Sequence, residues 1–409
     1  MKDKQIDYRL FFAVFSLIIF GMVMISSVSV FSSYKITGGD SNNHFLIRNI
    51  IHIAISSFLI VIIAKTPYKF FQKYSYIFMG IGILSLMAVL VFGTKLYGAK
   101  GWLFIKGLPF GIQPTEFTKV AVILFLSAMF AKYKGRIGHF KKGFMPYIGL
   151  IGLIFMLIAM QPDFGSILVI VPVATILFFV AGGNVRHLFL MGSIGLILLI
   201  SVYFMGKYDP DKILTKEDRP TFAYIYDRVN SFLGNEEDEA KSGNILYQQD
   251  QGLIAIGTGG LLGVGFGSSI QKYGYVPQVE GDFIFSVIVE ELGFLGALGL
   301  IWIYLFIGYR CFVIANNSKD DFSKYFAIGI GSRILMQAFV NLGVNLKLLP
   351  NTGITLPFVS YGGSSLMSLA IGIAILLGIS RDVDKELDIS KRKKGKIFQY
   401  STVNMVSKK

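Results

Sequence analysis

Long apolar segments separated by shorter polar ones dominate this chain. A helix that spans a bilayer needs roughly 20 mostly apolar residues. Ten segments approach that length, at about 9–31, 46–65, 74–93, 116–132, 146–161, 164–182, 187–206, 283–309, 325–346 and 365–380. The pattern predicts an all-α, polytopic membrane protein with about ten transmembrane helices.

The polar segments differ greatly in length. The segment of about 207–281, before the eighth helix, is by far the longest, and medium-sized ones lie near 94–115 and 347–364. A loop as long as 207–281 is usually functional or disordered. We expect its first part, about 209–243, to be mobile. We expect its second part, which is apolar and Gly-rich, to be ordered and associated with the membrane.

Basic residues are distributed unevenly between the two sides of the predicted membrane. Of 39 lysines and arginines, 24 fall on the side of the N-terminus and 13 on the other side, seven of these in the long loop. Charge in so long a loop has little weight in orientation. Both termini are therefore predicted to be cytoplasmic and the long loop extracytoplasmic. Residues 1–380 form the transmembrane domain, and the basic tail 381–409 is typical of a segment beside anionic lipid.

The composition agrees with the pattern of segments. Only 16% of the residues are charged, against about 25% in soluble domains. The single cysteine, Cys311, excludes an intrachain disulfide, and no two of the four histidines have the spacing of metal ligands. A zinc site is therefore not expected, and the distribution of the net charge of +14 argues against nucleic acid as a partner.

Asp282 stands where the long loop meets the eighth predicted helix. Carboxylates at membrane depth are costly and are functional-site candidates. Asp282 suits a general base, and it suits equally the N-cap of the helix; the two roles are compatible. Glu290 and Glu291 lie about two turns further in, on other faces of the helix, so we expect one of them to pair with a neighbouring helix.

Two other helix starts on the outer side carry charge. Pro114 suits the first helical turn, and Glu116 is favoured there by the helix dipole. Lys119 is three residues beyond Glu116, so the two can pair on one face, either as a structural ion pair or as a contact for an anionic substrate. Asp163 fits an N-cap first and a substrate contact second.

Polar residues also follow the second half of the long loop and the ninth helix. Gln248 and Gln251 precede a Gly-rich segment, 257–267, whose glycine spacing does not match a nucleotide-binding loop; its glycines instead allow close backbone approach. Arg333, about two turns deeper than Asn341, is either a buried ion-pair partner or part of a cationic cavity wall. The segment 347–364 is predicted to be broken and re-entrant, and such backbone must be buried in protein or line a cavity; it contains Lys347, Pro357, Ser360, Gly362, Gly363 and Ser364.

Polar residues thus gather at the outer ends of several helices. They include a carboxylate that can act as a base and cations that can hold an anion. This combination suits an enzyme for a phosphate-bearing, membrane-embedded substrate, and it suits a proton-coupled transporter nearly as well.

The motifs and their order resemble those of the SEDS family, the shape, elongation, division and sporulation proteins. The similar segments are QPTEFTK at 113–119, QPDFG at 161–165, YQ and IGTGG within 247–260, GDFIF and EELG within 281–293, and LPFVSYGGSS at 356–365. The segments 263–277 and 343–357 are more similar to the FtsW and SpoVE branch than to RodA.

The resemblance implies a peptidoglycan glycosyltransferase of the bacterial cytoplasmic membrane, with its active site facing outward. Such enzymes polymerise lipid II, an undecaprenyl-pyrophosphate-linked disaccharide peptide, beside a class B penicillin-binding protein and other division proteins. The family's essential aspartate corresponds to Asp282, and its membrane-edge glutamate and lysine correspond to Glu116 and Lys119. The alternatives are a lipid II flippase or transporter and a non-catalytic division scaffold.

The resemblance and the residues together suggest an inverting transfer with Asp282 as the single base. A retaining mechanism would need two carboxylates close together. The candidate substrate-binding residues are Glu116, Lys119, Asp163, Gln248, Gln251, Arg333, Lys347, Ser360 and Ser364. Lys119, Arg333 and Lys347 are the candidates for stabilising the leaving pyrophosphate, and a divalent cation, Mg or Mn, bound by Asp282 is the alternative. The candidate structural residues are Glu290, Glu291, Pro114, Pro357, Gly362 and Gly363.

The sequence departs from the family pattern next to the candidate base. The family usually has His-Thr before the aspartate, whereas this chain has Glu280 and Gly281. The family's Gly-Ala-Arg-Arg-Trp segment contains Lys100 and Gly101 here, so one cation is missing. These differences concern substrate contacts more than the fold.

Overall fold

The computed structural model describes residues 6–96, 99–104, 107, 110–207 and 239–382. These residues are mostly helical, and each of the ten predicted segments is a helix. The helices at those positions are α1 Tyr8–Val28, α3 His44–Lys65, α5 Ser75–Phe92, α6 Pro114–Lys132, α7 Met145–Ala159, α8 Phe164–Val180, α9 Val185–Lys207, α11 Ile284–Asn317, α12 Asp321–Asn345 and α13 Gly363–Asp382. The connections contain the shorter helices α2 Val30–Ile36 and α4 Tyr68–Lys73, a π-helical turn Phe140–Phe144, and the helix α10 Glu239–Gly259.

Eight helical segments of the described chain are long and apolar enough to cross a membrane, and α8 is apolar but shorter, with 17 residues. The outer surface of the bundle is correspondingly apolar. Phe58 on α3 and Leu84 on α5 are 65% and 66% exposed. A soluble protein would not present such contiguous apolar faces to water, and the helices therefore form a multi-pass membrane protein. That all ten cross the membrane stays a prediction.

The connections differ from the expectations in two places. Two short strands, β1 Thr94–Leu96 and β2 Ala99–Trp102, pair antiparallel, which the sequence pattern did not indicate. The segment 209–243 was expected to be mobile. Its residues 209–238 lie outside the described residues, whereas residues 239–243 belong to the helix α10. The basic tail beyond 382 also lies outside the described residues.

The centre of the bundle is α12, which packs against α11, α8 and α6. Close approach of α11 and α12 depends on Gly331, where a Cβ would lie 2.7 Å from the Cβ of Cys311. Because α12 is enclosed by other helices, its polar side chains must find partners within the protein. That requirement determines the structure of the site.

The eighth predicted helix, α11, is broken near its outer end. Gly293 has φ 70° and ψ −173°, which interrupts the helix. The carbonyls of Glu290 and Glu291 accept hydrogen bonds from the N–H groups of Val264 and Gly265, at 2.9 and 3.0 Å. The Gly-rich segment 257–267 therefore replaces the missing helical partners.

Glycine is required on the loop side of this contact. At Gly263, where φ is +80°, a Cβ would lie 2.2 Å from the carbonyl oxygen of Glu291. At Gly259 a Cβ would lie 2.1 Å from the carbonyl oxygen of Val289. Backbones can approach this closely only where no Cβ stands between them, as expected for this Gly-rich segment.

Candidate active site

One face of α12 carries four buried polar residues at intervals of four. Arg333, Gln337, Asn341 and Asn345 are each at most 1% exposed. Residues four apart lie on one side of a helix, so these residues form a polar stripe about 18 Å long at 1.5 Å per residue. The stripe joins the two groups of candidate residues, Asp282 at its outer end and Glu116 with Lys119 at its inner end.

At the outer end, Asp282 is 7% exposed and lies just before α11. The N-cap of α11 is Phe283, and its side chain makes no capping bond, so the prediction that Asp282 is the N-cap is wrong. The capping acceptor comes instead from α12. Asn345 Oδ1 accepts hydrogen bonds from the backbone N–H of Ser286, at 3.1 Å, and from the Ser286 hydroxyl, at 2.7 Å.

The backbone carbonyl of Asp282 is held by two side-chain amides. Asn341 Nδ2 donates to it at 2.7 Å and Asn345 Nδ2 at 2.8 Å. Asn341 Nδ2 also donates to the carbonyl of Ile354 at 2.8 Å. The start of α11, the end of α12 and the segment 347–364 therefore meet at Asp282.

The segment 347–364 is non-helical as far as Gly362, as expected of a broken segment, and most of its residues are buried or half-buried; that it re-enters the membrane stays a prediction. Gln337 Nε2 donates to the carbonyl of Thr355 at 3.1 Å, and the hydroxyl of Tyr304 donates to the carbonyl of Pro357 at 2.6 Å. Ser360 Oγ accepts from the N–H of Leu356 at 2.8 Å. Side chains from the neighbouring helices α11 and α12 thus supply the bonds that the irregular backbone lacks.

The two glycines that end this segment are closely packed. A Cβ on Gly362 would lie 3.1 Å from the Thr355 side chain, and one on Gly363 would lie 2.5 Å from the His52 ring. Both contacts are compatible with the structural roles expected for these glycines, and with that of Pro357.

At the inner end of the stripe, three charged residues form one buried cluster. Lys119 Nζ lies 2.7 Å from Glu116 Oε1, and Arg333 Nη2 lies 3.1 Å from Glu116 Oε2. Arg333 Nη2 also donates to Ser368 Oγ at 2.7 Å. The ion pairs expected for Glu116 and Arg333 are therefore present. That the cluster also binds an anionic substrate stays a prediction.

The cluster has an excess of positive charge. Two cations share one carboxylate, and Arg333 Nε and Nη1 have no hydrogen-bond partner among the described residues. A narrow space of about 10 Å³, about what one water molecule needs, lies between α6 and α8 beside Lys119 and Arg333. Its other walls are apolar, formed by Val122, Ile123, Val169, Ile170 and Val173. The two cations are therefore packed among apolar side chains and do not open onto a large cavity.

The starts of three helices meet above this cluster. The N–H of Gln113, before α6, donates to Ser364 Oγ of α13 at 3.0 Å, and Gln113 Nε2 donates to Asp163 Oδ2, before α8, at 3.4 Å. Asp163 Oδ1 accepts from the N–H of Ser166 at 3.0 Å, so the N-cap prediction for Asp163 is confirmed. Helix N-termini attract anions, and Pro114 begins α6 as predicted.

Three of the candidate substrate residues lie near the long loop instead. Lys347 is at the surface and pairs with Asp250 at 2.6 Å, so it does not join the buried cluster. Gln248 Nε2 donates to the carbonyl of Pro277 at 2.6 Å, and Gln248 Oε1 accepts from Asn351 Nδ2 at 3.0 Å. Gln251 is half-buried three residues further along α10. Gln248 therefore connects α10 to the segment 347–364.

Glu290 and Glu291 both hold the segment 267–272 against α11. Glu290 accepts hydrogen bonds from the Ser269 hydroxyl and from the N–H of Ile270, the latter at 3.0 Å. Glu291 Oε1 accepts from Lys272 Nζ and from the Ser27 hydroxyl of α1, each at 2.9 Å. These contacts are compatible with the packing role expected for both glutamates.

Glu280, which replaces the family's usual histidine, is also engaged. Its carboxylate accepts from the Ser32 hydroxyl at 2.9 Å, and its carbonyl accepts from the N–H of Tyr361 at 2.9 Å. Burial raises the pKa of the Glu280 carboxyl because the charged form is disfavoured away from water.

Among the described residues, no three His, Cys, Asp or Glu side chains lie together as a metal site requires. Mg²⁺ is commonly held by one or two carboxylates together with substrate phosphates, so a divalent cation bound by Asp282 stays a prediction. No step of the proposed reaction is assigned to a metal ion.

The sequence interpretation missed two participants. Gln337 could have been identified from the sequence, because it lies four residues after Arg333 and four before Asn341 and so shares their face of the helix. Lys272 gave no local signal, because its partners Ser27 and Glu291 are distant in sequence.

The fold and this site define a class of protein: a multi-pass helical membrane protein with a buried acid beside a buried cationic cluster. The chain belongs to the FtsW/RodA/SpoVE family, whose model, described as "Cell cycle protein", matches residues 8–385.

The named relatives agree with this membership. The chain is 38% identical to the "Probable peptidoglycan glycosyltransferase FtsW" of Bacillus subtilis (strain 168), over 92% of this chain and 91% of that protein. It is 33% identical to "Stage V sporulation protein E" of the same organism, over 93% of this chain and 98% of the relative. The predicted similarity to the FtsW and SpoVE branch is confirmed.

Solved structures agree with the fold. One, described as "Structural coordination of polymerization and crosslinking by a peptidoglycan synthase complex", has a TM-score of 0.71 and 26% identity, covering 92% of this chain and 98% of that chain. The rod shape determining protein RodA of Thermus thermophilus has a TM-score of 0.65 and 26% identity, covering 92% of this chain and 97% of that chain.

Proposed function

We infer that this chain is a peptidoglycan glycosyltransferase, which polymerises lipid II into glycan strands. The observation that carries the inference is its similarity to named glycosyltransferases over nearly its whole length, together with a buried aspartate where their family has its essential one. We also propose that the chain lies in the bacterial cytoplasmic membrane with the site facing outward; the distribution of its basic residues supports this proposal.

In the proposed reaction, the Asp282 carboxylate takes the proton from the 4-hydroxyl of the acceptor sugar. The hydroxyl oxygen forms a bond to the anomeric carbon of the donor, and the bond from that carbon to the lipid pyrophosphate breaks. The pyrophosphate leaves with the electron pair, and the configuration at the anomeric carbon is inverted. One base is sufficient for this displacement.

The order of groups along α12 matches the order of groups in such a substrate. Asn341 and Arg333 are about 12 Å apart along the axis, at 1.5 Å per residue. An extended ligand can present its sugar to Asp282 and its phosphates toward Lys119 and Arg333. Its polyprenyl chain would lie against the apolar outer surface of the bundle, since the space between α6 and α8 is too small for it. Preorganised cations near the leaving group lower the barrier by stabilising developing negative charge.

The other candidate substrate residues take secondary positions in this proposal. Ser364 and Asp163 lie at the helix starts above the cations, where they are available to the phosphates or the sugar. Ser360, Gln248 and Gln251 shape the walls near Asp282. Lys347 is assigned no contact with the leaving pyrophosphate, because its ammonium group lies at the surface and is paired with Asp250.

We also propose a class B penicillin-binding protein as the partner, because a similar structure belongs to a peptidoglycan synthase complex that coordinates polymerisation and crosslinking. Other division proteins are further candidate partners. The site itself needs no residue from a partner for the proton transfer described above.

The test is polymerisation of purified lipid II by the full chain and by Asp282→Ala, each with and without the penicillin-binding protein. We expect Asp282→Ala to insert normally and to form no polymer. The matched control is Asp250→Asn, an exposed acid on α10, which should keep normal activity. Full polymerisation by Asp282→Ala would overturn the assignment of the base.

The same preparations separate the enzyme from its alternatives. A lipid II transporter would move labelled lipid II across vesicles without forming polymer. A scaffold would form no polymer itself but would still recruit the synthase after Asp282→Ala. Polymer formed by the wild-type chain alone would exclude both as complete descriptions.

A further inference from the structure

We propose that Asn341 and Asn345 are positioning residues for this reaction, because their side-chain amides fix the peptide group of Asp282 and thereby the direction of its carboxylate. The proposal rests on the proposed function, in which Asp282 is the base. It assigns to the outer half of the α12 stripe a role in catalysis that goes beyond packing.

The first argument is geometric. A backbone carbonyl has two acceptor lone pairs, and that of Asp282 accepts two amide donors, at 2.7 and 2.8 Å. Two donors from one helix define the plane of the peptide group that follows the Cα of Asp282. Since the side chain starts from that Cα, its range of directions is reduced as well.

The second argument is that the two amides are themselves fixed. Asn345 Nδ2 also donates to the carbonyl of Asn341 at 2.9 Å, while its Oδ1 accepts from Ser286. Asn341 Nδ2 is shared with the carbonyl of Ile354. Neither amide can rotate without breaking several buried bonds, and such supporting shells keep catalytic groups in productive geometry.

The third argument is that Asp282 needs support from outside its own helix. It precedes the N-cap of α11, so it has no place in the ladder of intrahelical hydrogen bonds. The cap acceptor for Ser286 comes from Asn345. The same residue therefore sets both the start of α11 and the orientation of the backbone immediately before it.

A neighbouring amide provides a matched control. Gln249 is 1% exposed, and its Nε2 donates to the carbonyls of Val344 and Leu349 at 3.2 and 3.0 Å. Like the asparagines, Gln249 has a buried side-chain amide that donates hydrogen bonds to backbone carbonyls near the end of α12. Unlike them, it does not bond to the carbonyl of Asp282 in the structure.

The experiment compares steady-state lipid II polymerisation by the purified full chain and by Asn341→Ala, Asn345→Ala and Gln249→Ala. For the two asparagine variants we expect kcat to fall by about ten- to hundredfold, with KM within about twofold of the wild type, since misplacement of a reacting group lowers turnover rather than ground-state binding. Gln249→Ala should lower the unfolding temperature by a similar amount but keep kcat.

A second measurement tests whether the asparagines act through Asp282. In an Asp282→Glu background, where the carboxylate is already displaced, Asn341→Ala should reduce kcat by much less than it does in the wild type. If Asn341→Ala lowers kcat by the same factor in both backgrounds, Asn341 acts independently of Asp282 and the proposal is overturned. Asn341→Ala leaves the cap of α11 in place, so the test holds even where Asn345→Ala does not fold.

The outcomes are distinguishable from failure of the proposed function. If Asp282→Ala keeps full activity, the base assignment fails, and the positioning proposal falls with it. If Asp282→Ala is inactive but both asparagine variants keep the wild-type kcat, only the positioning proposal fails. If kcat falls equally in Gln249→Ala, the effect is general packing and the proposal is wrong.

Discussion

Replacement of Glu116 by glutamine should destabilise the protein more than any other single change of charge in the buried cluster of Glu116, Lys119 and Arg333. Glu116 is the only carboxylate bonded to both Lys119 and Arg333 among the described residues. The two cations are 2% and 1% exposed. Glutamine keeps the shape of the side chain but removes its charge, so that two buried cations are left without a counter-charge.

The magnitude follows from the cost of an unpaired buried charge. Removing one partner of a buried ion pair costs about 3–5 kcal/mol. Each kcal/mol shifts the unfolding temperature by about 2–4 °C in chains of 150–250 residues, and by less in longer ones. At an unfolding entropy of about 2.1 cal/mol/K per residue, each kcal/mol is worth about 1.2 °C for this chain of 409 residues, so we expect Glu116→Gln to lower the unfolding temperature by about 3–6 °C.

The assay is thermal unfolding of the purified protein in detergent, followed by intrinsic fluorescence. In the Glu116→Gln background, Arg333→Met should restore part of the lost stability, because it removes one of the unpaired cations. Lys134→Gln, which breaks a solvent-exposed pair with Asp321, serves as the control and should leave the unfolding temperature unchanged. If Glu116→Gln behaves like the control, or if Arg333→Met destabilises both backgrounds equally, the cluster is not the charge-coupled unit described above.

Three further predictions concern the outer side of the molecule. Gly263→Ala should disrupt the contact between the Gly-rich segment and α11, because at a φ of +80° its Cβ would lie 2.2 Å from the carbonyl oxygen of Glu291. Gly257→Ala is the control and should be tolerated, because the space around Gly257 is open. Limited proteolysis and thermal unfolding measure the effect of both substitutions. Asp163→Ala should remove the N-cap of α8 and lower the free energy of unfolding by about 1 kcal/mol. Asp163→Asn should keep the stability but raise the KM for lipid II. An unchanged KM would show that Asp163 only caps the helix. Burial raises the pKa of Glu280 above 4.5, so its contribution to stability is lost as pH rises from 4.5 through the raised value. Glu280→Gln should remove that part of the pH dependence of unfolding, and an identical dependence in both proteins would contradict it.

The positions of the helices could be predicted because the signal is local. A run of about 20 apolar residues is sufficient to identify a spanning helix, and all ten expected segments are helical. The cap at Asp163 was equally local, since the acceptor and the N–H that it binds are three residues apart.

The details at Asp282 could not be predicted because they depend on distant residues. The cap of α11 comes from Asn345, 59 residues away from Ser286 in the sequence. The break at Gly293 is stable because loop 259–265 supplies hydrogen bonds, which no helical pattern within α11 indicates. The pairing of Glu116 with Lys119 was predictable from their spacing, but the addition of Arg333 required the packing of α12 against α6.

The break at Gly293 also affects which part of α11 has to lie in the hydrocarbon core of the membrane. At 1.5 Å per residue, α11 as a whole is about 51 Å long, whereas residues 294–317 alone are about 36 Å long. The hydrocarbon core is about 30 Å thick, so the part of α11 beyond the break is sufficient to cross it. The turns that carry Glu290 and Glu291, with Asp282 before them, can then lie at the level of the lipid headgroups. At that level the sugars of a membrane-anchored substrate can reach Asp282 without entering the hydrocarbon core.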